Sequence, residues 1–284
     1  MLCYPGRVAW ETDLAPIRQC LGNRERDEMI PPNMRAAPHA AGETEILNRF
    51  PKARPPLPEG IAKIYTEHYK ANREGGTAAS SLSQKMERWL HRQVAMDVVS
   101  TPGSQSTLEI GAGTLNQLLY EPPGGPYDIV EPFEALYRDS KLLGRVRNVY
   151  ADIGDVPAGQ AYDRITSIAT FEHVCDLPRV IARSALHLAP GGSMRVSVPS
   201  EGTPLWKLGW MVTTGLEFRI RHGLDYGLLM RHEHVNTAFE IESLLRFFFS
   251  DIQCRVFGLC RGLSLYQFFV CRGPILARCE GPGR

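Results

Sequence analysis

Hydrophobic and polar positions follow different spacings in successive parts of the chain. Residues 1–60 are rich in proline and arginine and show no regular spacing, so we expect an extended or partly disordered segment, with a short helix around residues 43–50. Residues 61–103 show helical spacing in "IAKIYTEHYKANRE" and "SLSQKMERWLHRQVAMDVVS". The pattern predicts two helices there, forming a helical lid on a main domain.

From Thr107 onward, strand-like and helix-like runs alternate, which is typical of βαβ units and a mainly parallel sheet. The predicted strands cover residues 107–110, 127–130, 146–150, 164–168 and 193–198, and the predicted helices cover residues 115–120, 134–143 and 177–188. After a long segment, "TAFE" at residues 237–240 reads as a capping box that begins a helix through Phe249. A hairpin around residues 260–262 follows, and residues 273–284 are expected to be a loose tail.

Composition narrows the classes of function. The 284 residues carry a net charge of +1, so no overall field favours nucleic acid or an anionic membrane. The seven cysteines are scattered and form no C-x-x-C pair, which fits reduced thiols. No apolar run reaches the roughly 18 residues of a membrane helix, and no signal pattern begins the chain. We therefore expect a cytoplasmic protein without a membrane partner.

The stretch "LEIGAGT" passes from a strand into a helix through two glycines. Gly111 and Gly113 let the backbone approach a ligand closely, as in a nucleotide-binding turn. Glu131 ends the next strand, where a carboxylate can accept hydrogen bonds from ribose hydroxyls. The dinucleotide fingerprint G-x-G-x-x-G is incomplete, because Asn116 occupies its last position. This disfavours a nicotinamide-dependent dehydrogenase, and a tight turn beside a surface carboxylate remains the structural alternative.

Four blocks in order resemble the class I S-adenosylmethionine-dependent methyltransferases: "LEIGAGT", "YDIVEP", "YADIGDVP" and "YDRITSIATFEHVCDLPRVIARSALHLAPGG". The resemblance covers residues 107–271. It implies an α/β, Rossmann-like seven-stranded sheet with six parallel strands and one antiparallel strand, helices on both faces and an N-terminal helical extension. The methyltransferase domain would span residues 104–272. In many family members a third glycine stands where this chain has Leu115, so the loop is expected to be tighter or differently shaped.

The resemblance also implies the cofactor S-adenosyl-L-methionine and its contacts. Glu109, Gly111, Ala112 and Gly113 would line the methionine part, and Glu131, followed by Pro132, would hold the ribose. Asp152 and Ile153 would face the adenine, and Ala169, Thr170 and Phe171 would lie beside the sulfonium.

Three histidines are candidates for a general base. His173 lies in "FEHV" just beyond the fourth strand, where a structural role is an equal alternative, and His232 and His234 lie in "RHEHVN". If that second segment is extended, His232 and His234 share one face and Glu233 points the other way. Since the two then lack a third ligand, we expect no metal site.

The segment of residues 199–236, which we call the cap, is long for a link between a strand and its helix. Long insertions at this edge of a sheet are often binding loops. Packing without a ligand is the alternative. We expect the acceptor to contact residues of the cap and of the preceding lid: Tyr65, Tyr69, Trp206, Trp210, Tyr226 and Arg231.

The fourth strand is followed by "SIATFEHV", without the Asp/Asn-Pro-Pro-aromatic or Pro-Cys blocks of several nucleic-acid and protein methyltransferases. This favours a small-molecule acceptor and no nucleic-acid partner. A non-catalytic binding or scaffold protein with the same fold is the second hypothesis.

Overall fold

The computed structural model describes residues 45–57, 80–100 and 103–281. The first predicted lid helix, with Tyr65 and Tyr69, lies outside these residues, as do most of the predicted N-terminal segment and the last three residues. Residues 45–47 are helical, within the range expected for a short helix.

Seven strands form one sheet in the order β3-β2-β1-β4-β5-β7-β6. Their bounds are β1 Thr107–Ile110, β2 Tyr127–Val130, β3 Asn148–Tyr150, β4 Tyr162–Ile168, β5 Leu188–Pro199, β6 Phe249–Cys260 and β7 Leu263–Pro274. The pairs from β3 to β5 are parallel, whereas β7 runs antiparallel to both β5 and β6. Six strands therefore point one way and one points the other, which confirms the predicted fold class.

Eight α-helices accompany the sheet in residues 80–100 and 103–281. They are α1 Ser80–Ser100, α2 Glu134–Tyr137, α3 Leu177–Leu186, α4 Pro204–Trp210, α5 Leu216–His222, α6 Tyr226–Glu233, α7 Ala238–Phe248 and α8 Leu276–Cys279. A π-helical turn, Met211–Gly215, joins α4 to α5. The predicted capping box is present, because Thr237 accepts from the Glu240 backbone N–H while the Glu240 side chain accepts from the Thr237 N–H.

Both faces of the sheet are covered. On one face Leu108, Ile165 and Val196 pack against the apolar sides of α3 and α7 in the main core. On the other face Ile168, Phe268 and Val270 pack against Leu90 and Val94 of α1. The carboxyl ends of β1, β2 and β4, where the candidate residues lie, remain at one edge between these layers.

Some predictions fail in detail. The helix predicted over residues 134–143 ends at Tyr137, and the one predicted over 115–120 is a 3₁₀ turn, Asn116–Leu119. The loose tail instead contains α8, whose Cys279 is buried in the main core. Four cysteines are free thiols: Cys175, Cys254, Cys271 and Cys279. Cys260 is disulfide-bonded, so the prediction of reduced thiols does not hold for this cysteine.

Candidate active site

The turn after β1 lies directly against the turn after β4. Gly111 has a φ of 73°, and a Cβ at this position would overlap the Thr170 side chain. The Thr170 hydroxyl donates to the Gly111 carbonyl over 3.3 Å. A residue other than glycine at 111 would force the two turns apart, so this glycine fixes the close approach predicted from the sequence.

The Glu131 carboxylate lies beside the same turn and is almost fully buried. Its Oε2 accepts from the Gly113 backbone N–H at 2.8 Å, and its Oε1 accepts from the Phe133 N–H at 3.0 Å. Each carboxylate oxygen has two lone pairs, so each retains capacity for one more donor. The neighbouring Pro132 is exposed. Glu131 is thus held rigidly, with room to accept from a vicinal diol.

Asp152 follows β3 and is paired with Arg179 of α3. The carboxylate takes two hydrogen bonds from the guanidinium, of 2.5 and 3.2 Å, and its Oδ1 also accepts from the Gly154 N–H. The bond with Arg179 lowers the pKa of Asp152, with the Gly154 bond adding to the effect against a smaller opposing cost of burial. Ile153 is buried in the main core.

Glu109 is a fully buried acid in the middle of β1. The Tyr127 hydroxyl donates to its Oε2 over 2.8 Å. Burial raises the pKa of Glu109 to about 8, and the charges of Glu121 and Glu131 act in the same direction. Desolvation therefore favours the protonated form of this side chain.

The three residues predicted to lie beside the sulfonium occupy different environments. Ala169 is exposed and takes a positive φ of 49°, and Thr170 is half-buried against Gly111. The Phe171 ring is fully buried in the main core. A ligand at this edge could therefore contact Ala169 and Thr170. Phe171 could contribute its backbone but not its ring. Ala112 is also buried, under Leu115 and Leu118.

Two of the three predicted histidines come together beyond β4. The His173 and His234 rings have centroids 4.9 Å apart at an interplanar angle of 75°. His234 Nδ1 donates to Glu201 Oε2 over 2.8 Å. Burial lowers the pKa of His234, but the Glu201 hydrogen bond and the charges of Glu172, Glu201 and Glu233 outweigh it, so the net shift is upward.

The backbone around Asn236 joins the two segments that carry these rings. The Val235 and Asn236 N–H groups both donate to the Glu172 carbonyl, over 2.9 and 3.1 Å. The buried Asn236 amide donates to the carbonyls of Phe171 and Val174 over 2.8 and 2.7 Å. These bonds hold the segments that carry His173 and His234 in fixed relative positions.

His232 does not share a face with His234. Helix α6 continues to Glu233 and His234 is its C-cap, so the segment is helical where the sequence was assumed to be extended. His232 Nδ1 instead lies 2.6 Å from the Pro55 carbonyl. Glu233, expected to point away, places its Oε2 3.5 Å from His173 Nδ1. The helical rotation therefore brings Glu233, rather than His232, to the histidine pair.

One aromatic side chain of the cap, Trp206, lies next to this pair, and others form a group further along the cap. Trp206 stacks on His234 with centroids 6.2 Å apart, and it meets Tyr266 of β7 edge-on at 5.3 Å. Tyr226 contacts Trp210 at 5.8 Å, and burial raises the pKa of Tyr226 to about 12. Arg231 is exposed on α6 and is not part of this aromatic group.

Sequence reasoning missed Glu172, Glu201, Asn236 and Tyr266. A usable signal existed for two of them, because Glu172 adjoins His173 in "FEHV" and Glu201 follows β5 at the strand edge where ligands bind. Asn236 and Tyr266 reach the site only through tertiary packing.

A cavity of about 180 Å³ lies at the opposite edge of the sheet. Thr107, Tyr127 and Arg164, from the amino-terminal halves of their strands, contribute to its lining. It is therefore separate from the strand ends described above.

Within the described residues, no helix combines the length and apolarity needed to cross a membrane.

A family model described as a methyltransferase domain matches residues 78–248, more than half of the chain. The chain belongs to this methyltransferase family. The match begins before α1 and extends through α7, and it therefore includes the cap. No relative was found among curated proteins.

Solved structures of methyltransferases share the fold. The plantazolicin methyltransferase BpumL, in complex with a monoazolic desmethylPZN analog and SAH, aligns with a TM-score of 0.54 at 12% identity, covering 82% of this chain and 98% of that one. Its complex with a triazolic analog gives 0.52 and 14%, covering 82% and 99%. At these identities the likeness concerns the fold alone.

Proposed function

We propose that this protein transfers the methyl group of S-adenosylmethionine to a small-molecule acceptor held beneath the cap. The observation that supports this most is the meeting of Gly111, Thr170 and the buried Glu131 carboxylate at one strand edge. This arrangement offers a carboxylate to a ribose diol and open backbone to the rest of the cofactor. It contains no helix N-terminus of the kind that holds a pyrophosphate, because Asn116–Leu119 is only one 3₁₀ turn.

Bound S-adenosylmethionine would supply a methyl group on a positively charged sulfur. The protein's own part is then to orient the acceptor in line with that group and to exclude water. Trp206, Tyr226 and Tyr266 offer apolar surface for the acceptor next to the turn after β4. Without a cation at this pair, Nε2 of His173 or His234 would take the proton that an oxygen or nitrogen acceptor loses.

Calorimetry with the cofactor tests this proposal. We expect S-adenosylmethionine and S-adenosylhomocysteine to bind with one site per chain, and a nicotinamide dinucleotide not to bind. Absence of binding by both sulfur compounds would overturn the proposal. Binding with no transfer to any acceptor in a screen of phenols, amines and carboxylates would instead favour the non-catalytic hypothesis.

Glu131 provides the corresponding variant. Glu131→Ala removes a charge-assisted acceptor pair and should weaken cofactor binding by about 1 to 3 kcal/mol. Glu134→Ala, three residues later on the exposed start of α2, serves as the matched control and should bind with wild-type affinity. Equal affinities for wild-type protein and Glu131→Ala would show that this carboxylate does not contact the cofactor.

A further inference from the structure

We propose that Glu172, His173 and His234 bind a divalent transition-metal cation beside the methyl-transfer position. One ligand atom of each residue lies within 4.8 Å of the others. A metal at this site would bind the acceptor of the proposed methyl transfer. Only this catalytic role of the metal rests on the proposed function. Binding of the metal itself is a separate property of these side chains.

The two imidazoles are oriented as metal ligands usually are. His234 Nδ1 is bound to the Glu201 carboxylate at 2.8 Å, and His173 Nδ1 to the Glu233 carbonyl at 3.0 Å. Metal-binding histidines commonly donate one ring N–H to such a carboxylate or carbonyl, which fixes the tautomer and leaves the other nitrogen free for the metal. Here both rings direct Nδ1 to an acceptor, so the two Nε2 atoms are the ligands.

Glu172 supplies the third ligand and the strongest evidence. It is only 1% exposed, and its Oε2 has no hydrogen-bond partner within the described residues. Leaving a buried polar atom unpartnered costs about 1 to 3 kcal/mol, and more for a charged group. The other oxygen, Oε1, lies 3.7 Å from His173 Nε2. A cation bound at Oε1 would balance the charge of this buried carboxylate, and one bound by both oxygens would also give Oε2 its missing partner.

The distances need little adjustment. Ligands bonded at about 2.0 to 2.2 Å to one ion are separated from each other by about 3 to 3.5 Å. The Glu172–His173 separation is already close to this value, and small side-chain rotations would bring His234 into range. Because main-chain bonds from Val235 and Asn236 hold the two segments together, the ligand set is preorganised.

The charge at the site also calls for a cation. Glu172, Glu201 and Glu233 all lie at the histidine pair. Arg54 lies 3.6 Å from Glu233 and donates to the His173 carbonyl. A bound divalent ion would balance the negative charge that Arg54 does not offset.

The donor set selects the kind of metal. Two imidazole nitrogens with one carboxylate suit Mn²⁺, Fe²⁺, Co²⁺, Ni²⁺ or Zn²⁺ rather than Mg²⁺ or Ca²⁺, which prefer all-oxygen sites. Three protein ligands leave coordination positions open. An acceptor hydroxyl bound there would have its pKa lowered and would be positioned close to Thr170, two residues before Glu172.

Metal binding is measured on tag-free protein stripped with a chelator. Titration calorimetry and metal analysis after dialysis, using Zn²⁺, Co²⁺, Mn²⁺, Ni²⁺ and Mg²⁺ in turn, should show one equivalent of at least one transition metal and none of Mg²⁺. Co²⁺ should also give visible absorption bands from a histidine-containing site. The absence of saturable binding by all four transition metals would overturn the proposal.

Variants then assign the site. Glu172→Gln, His173→Ala and His234→Ala should each weaken binding by about 100-fold or more, and Glu201→Gln, which orients His234, by about 10-fold. His232→Ala is the matched control, because His232 lies in the same segment but bonds to the Pro55 carbonyl. Melting temperatures check that each variant is folded. Equal metal affinity in His232→Ala and His234→Ala would also overturn the assignment.

The two proposals fail separately. Metal binding without binding of S-adenosylmethionine would leave the metal site standing and remove the proposed function. Methyl transfer that persists unchanged after metal removal would leave the function and remove the metal's role in catalysis, whereas the absence of saturable metal binding would remove the site itself.

Discussion

Leu115 adopts a backbone conformation that usually belongs to glycine. Its φ is 67° and its ψ is 26°, at the position where the family resemblance implies a third glycine. The loop therefore keeps the left-handed turn, although the sequence suggested a tighter or different shape. The Leu115 side chain is fully buried with Leu118, Tyr127 and Ile129. Packing in this cluster offsets the strain of the backbone.

Leu115→Gly separates these two contributions. Relief of the left-handed backbone strain should raise the free energy of unfolding by about 1 to 2 kcal/mol. Loss of the buried side chain should lower it by about 3 to 5 kcal/mol. We expect a net loss of unfolding free energy of about 1 to 4 kcal/mol, measured by urea denaturation. Leu119→Gly would also lose helix propensity, so Leu119→Ala, at a side chain 67% exposed, is the better control and should change little. A Leu115→Gly variant as stable as wild type would show that packing of the Leu115 side chain contributes no more than the strain of its backbone costs.

Glu109 predicts a specific dependence of stability on pH. Its pKa is about 8 in the folded protein and near 4.5 when unfolded. Between these values the folded state binds more protons than the unfolded state, so stability falls as pH rises from about 4.5 to 8. Glu109→Gln cannot ionise and should lose this part of the pH dependence.

The measurement compares denaturation midpoints of wild type and Glu109→Gln at several pH values. The variant should gain stability relative to wild type as pH rises through this window, with no further change above about pH 9. A constant difference from pH 5 to 9 would mean that Glu109 ionises normally. Glu45→Gln, at an exposed glutamate far along the chain, supplies the control for a simple change of charge.

At the scale of single elements, local signals decided which predictions succeeded. The hairpin and the Thr237–Glu240 capping box were readable because their signals are short-range. The cap was interpreted as a loop, yet it contains α4, α5 and α6. Two N-caps in it were readable as well, since Thr203 precedes Pro204 and accepts from the Trp206 N–H, and Asp225 accepts from the Gly227 N–H. The local sequence does not show how α4, α5 and α6 pack against the rest of the domain.

Helix α1 is attached to the sheet by buried arginines. Arg164 of β4 donates to Glu121, to Asp97 and to the Val94 carbonyl, over 2.9 to 3.2 Å. Arg195 of β5 also donates to the Val94 carbonyl, at 2.8 Å. Because Arg164 is only 1% exposed, its partners would be left as buried, unpaired charges if it were removed.

Arg164→Met should therefore destabilise the protein by about 3 to 5 kcal/mol, the cost of breaking a buried ion pair from one side. Arg138→Met is the control, because Arg138 and its partner Asp139 are 61% and 88% exposed, and the expected change there is below about 0.5 kcal/mol. Chemical denaturation followed by circular dichroism gives both values. Similar losses in the two variants would argue against an ionic attachment of α1.

At the scale of the whole molecule, the order of strands determines where the site lies. The chain order reverses between β1 and β4, and ligands of open α/β sheets bind at the carboxyl ends beside such a reversal. Gly111 and Thr170 stand on the two sides of it. The sequence could predict this position from the order of its motifs. It could not predict the histidine pair with Glu172, since those residues meet only after the cap has folded across the strand ends.

Residues 50–55 connect distant parts of the chain at this edge. Lys52 donates through its backbone to the Cys175 carbonyl, and its ammonium group contacts both the Val235 carbonyl and Glu240. The Lys52–Glu240 distance is 2.7 Å, and both side chains are less than one-fifth exposed. This segment thus spans from the start of α3 to the start of α7, next to the histidine pair.

A double-mutant cycle with Lys52→Met and Glu240→Gln tests that connection. Partial burial and a short distance should give a coupling energy of about 1 kcal/mol in unfolding free energy, above the few tenths typical of exposed pairs. Arg272→Met with Asp251→Asn is the matched cycle, because that pair is 4.0 Å apart and about half exposed. Its coupling should be close to zero. If the coupling energy of the Lys52–Glu240 pair is no larger than that of the Arg272–Asp251 pair, residues 50–55 contact the domain without stabilising it. Arg54 would then have no fixed position from which to hold Glu233 beside His173.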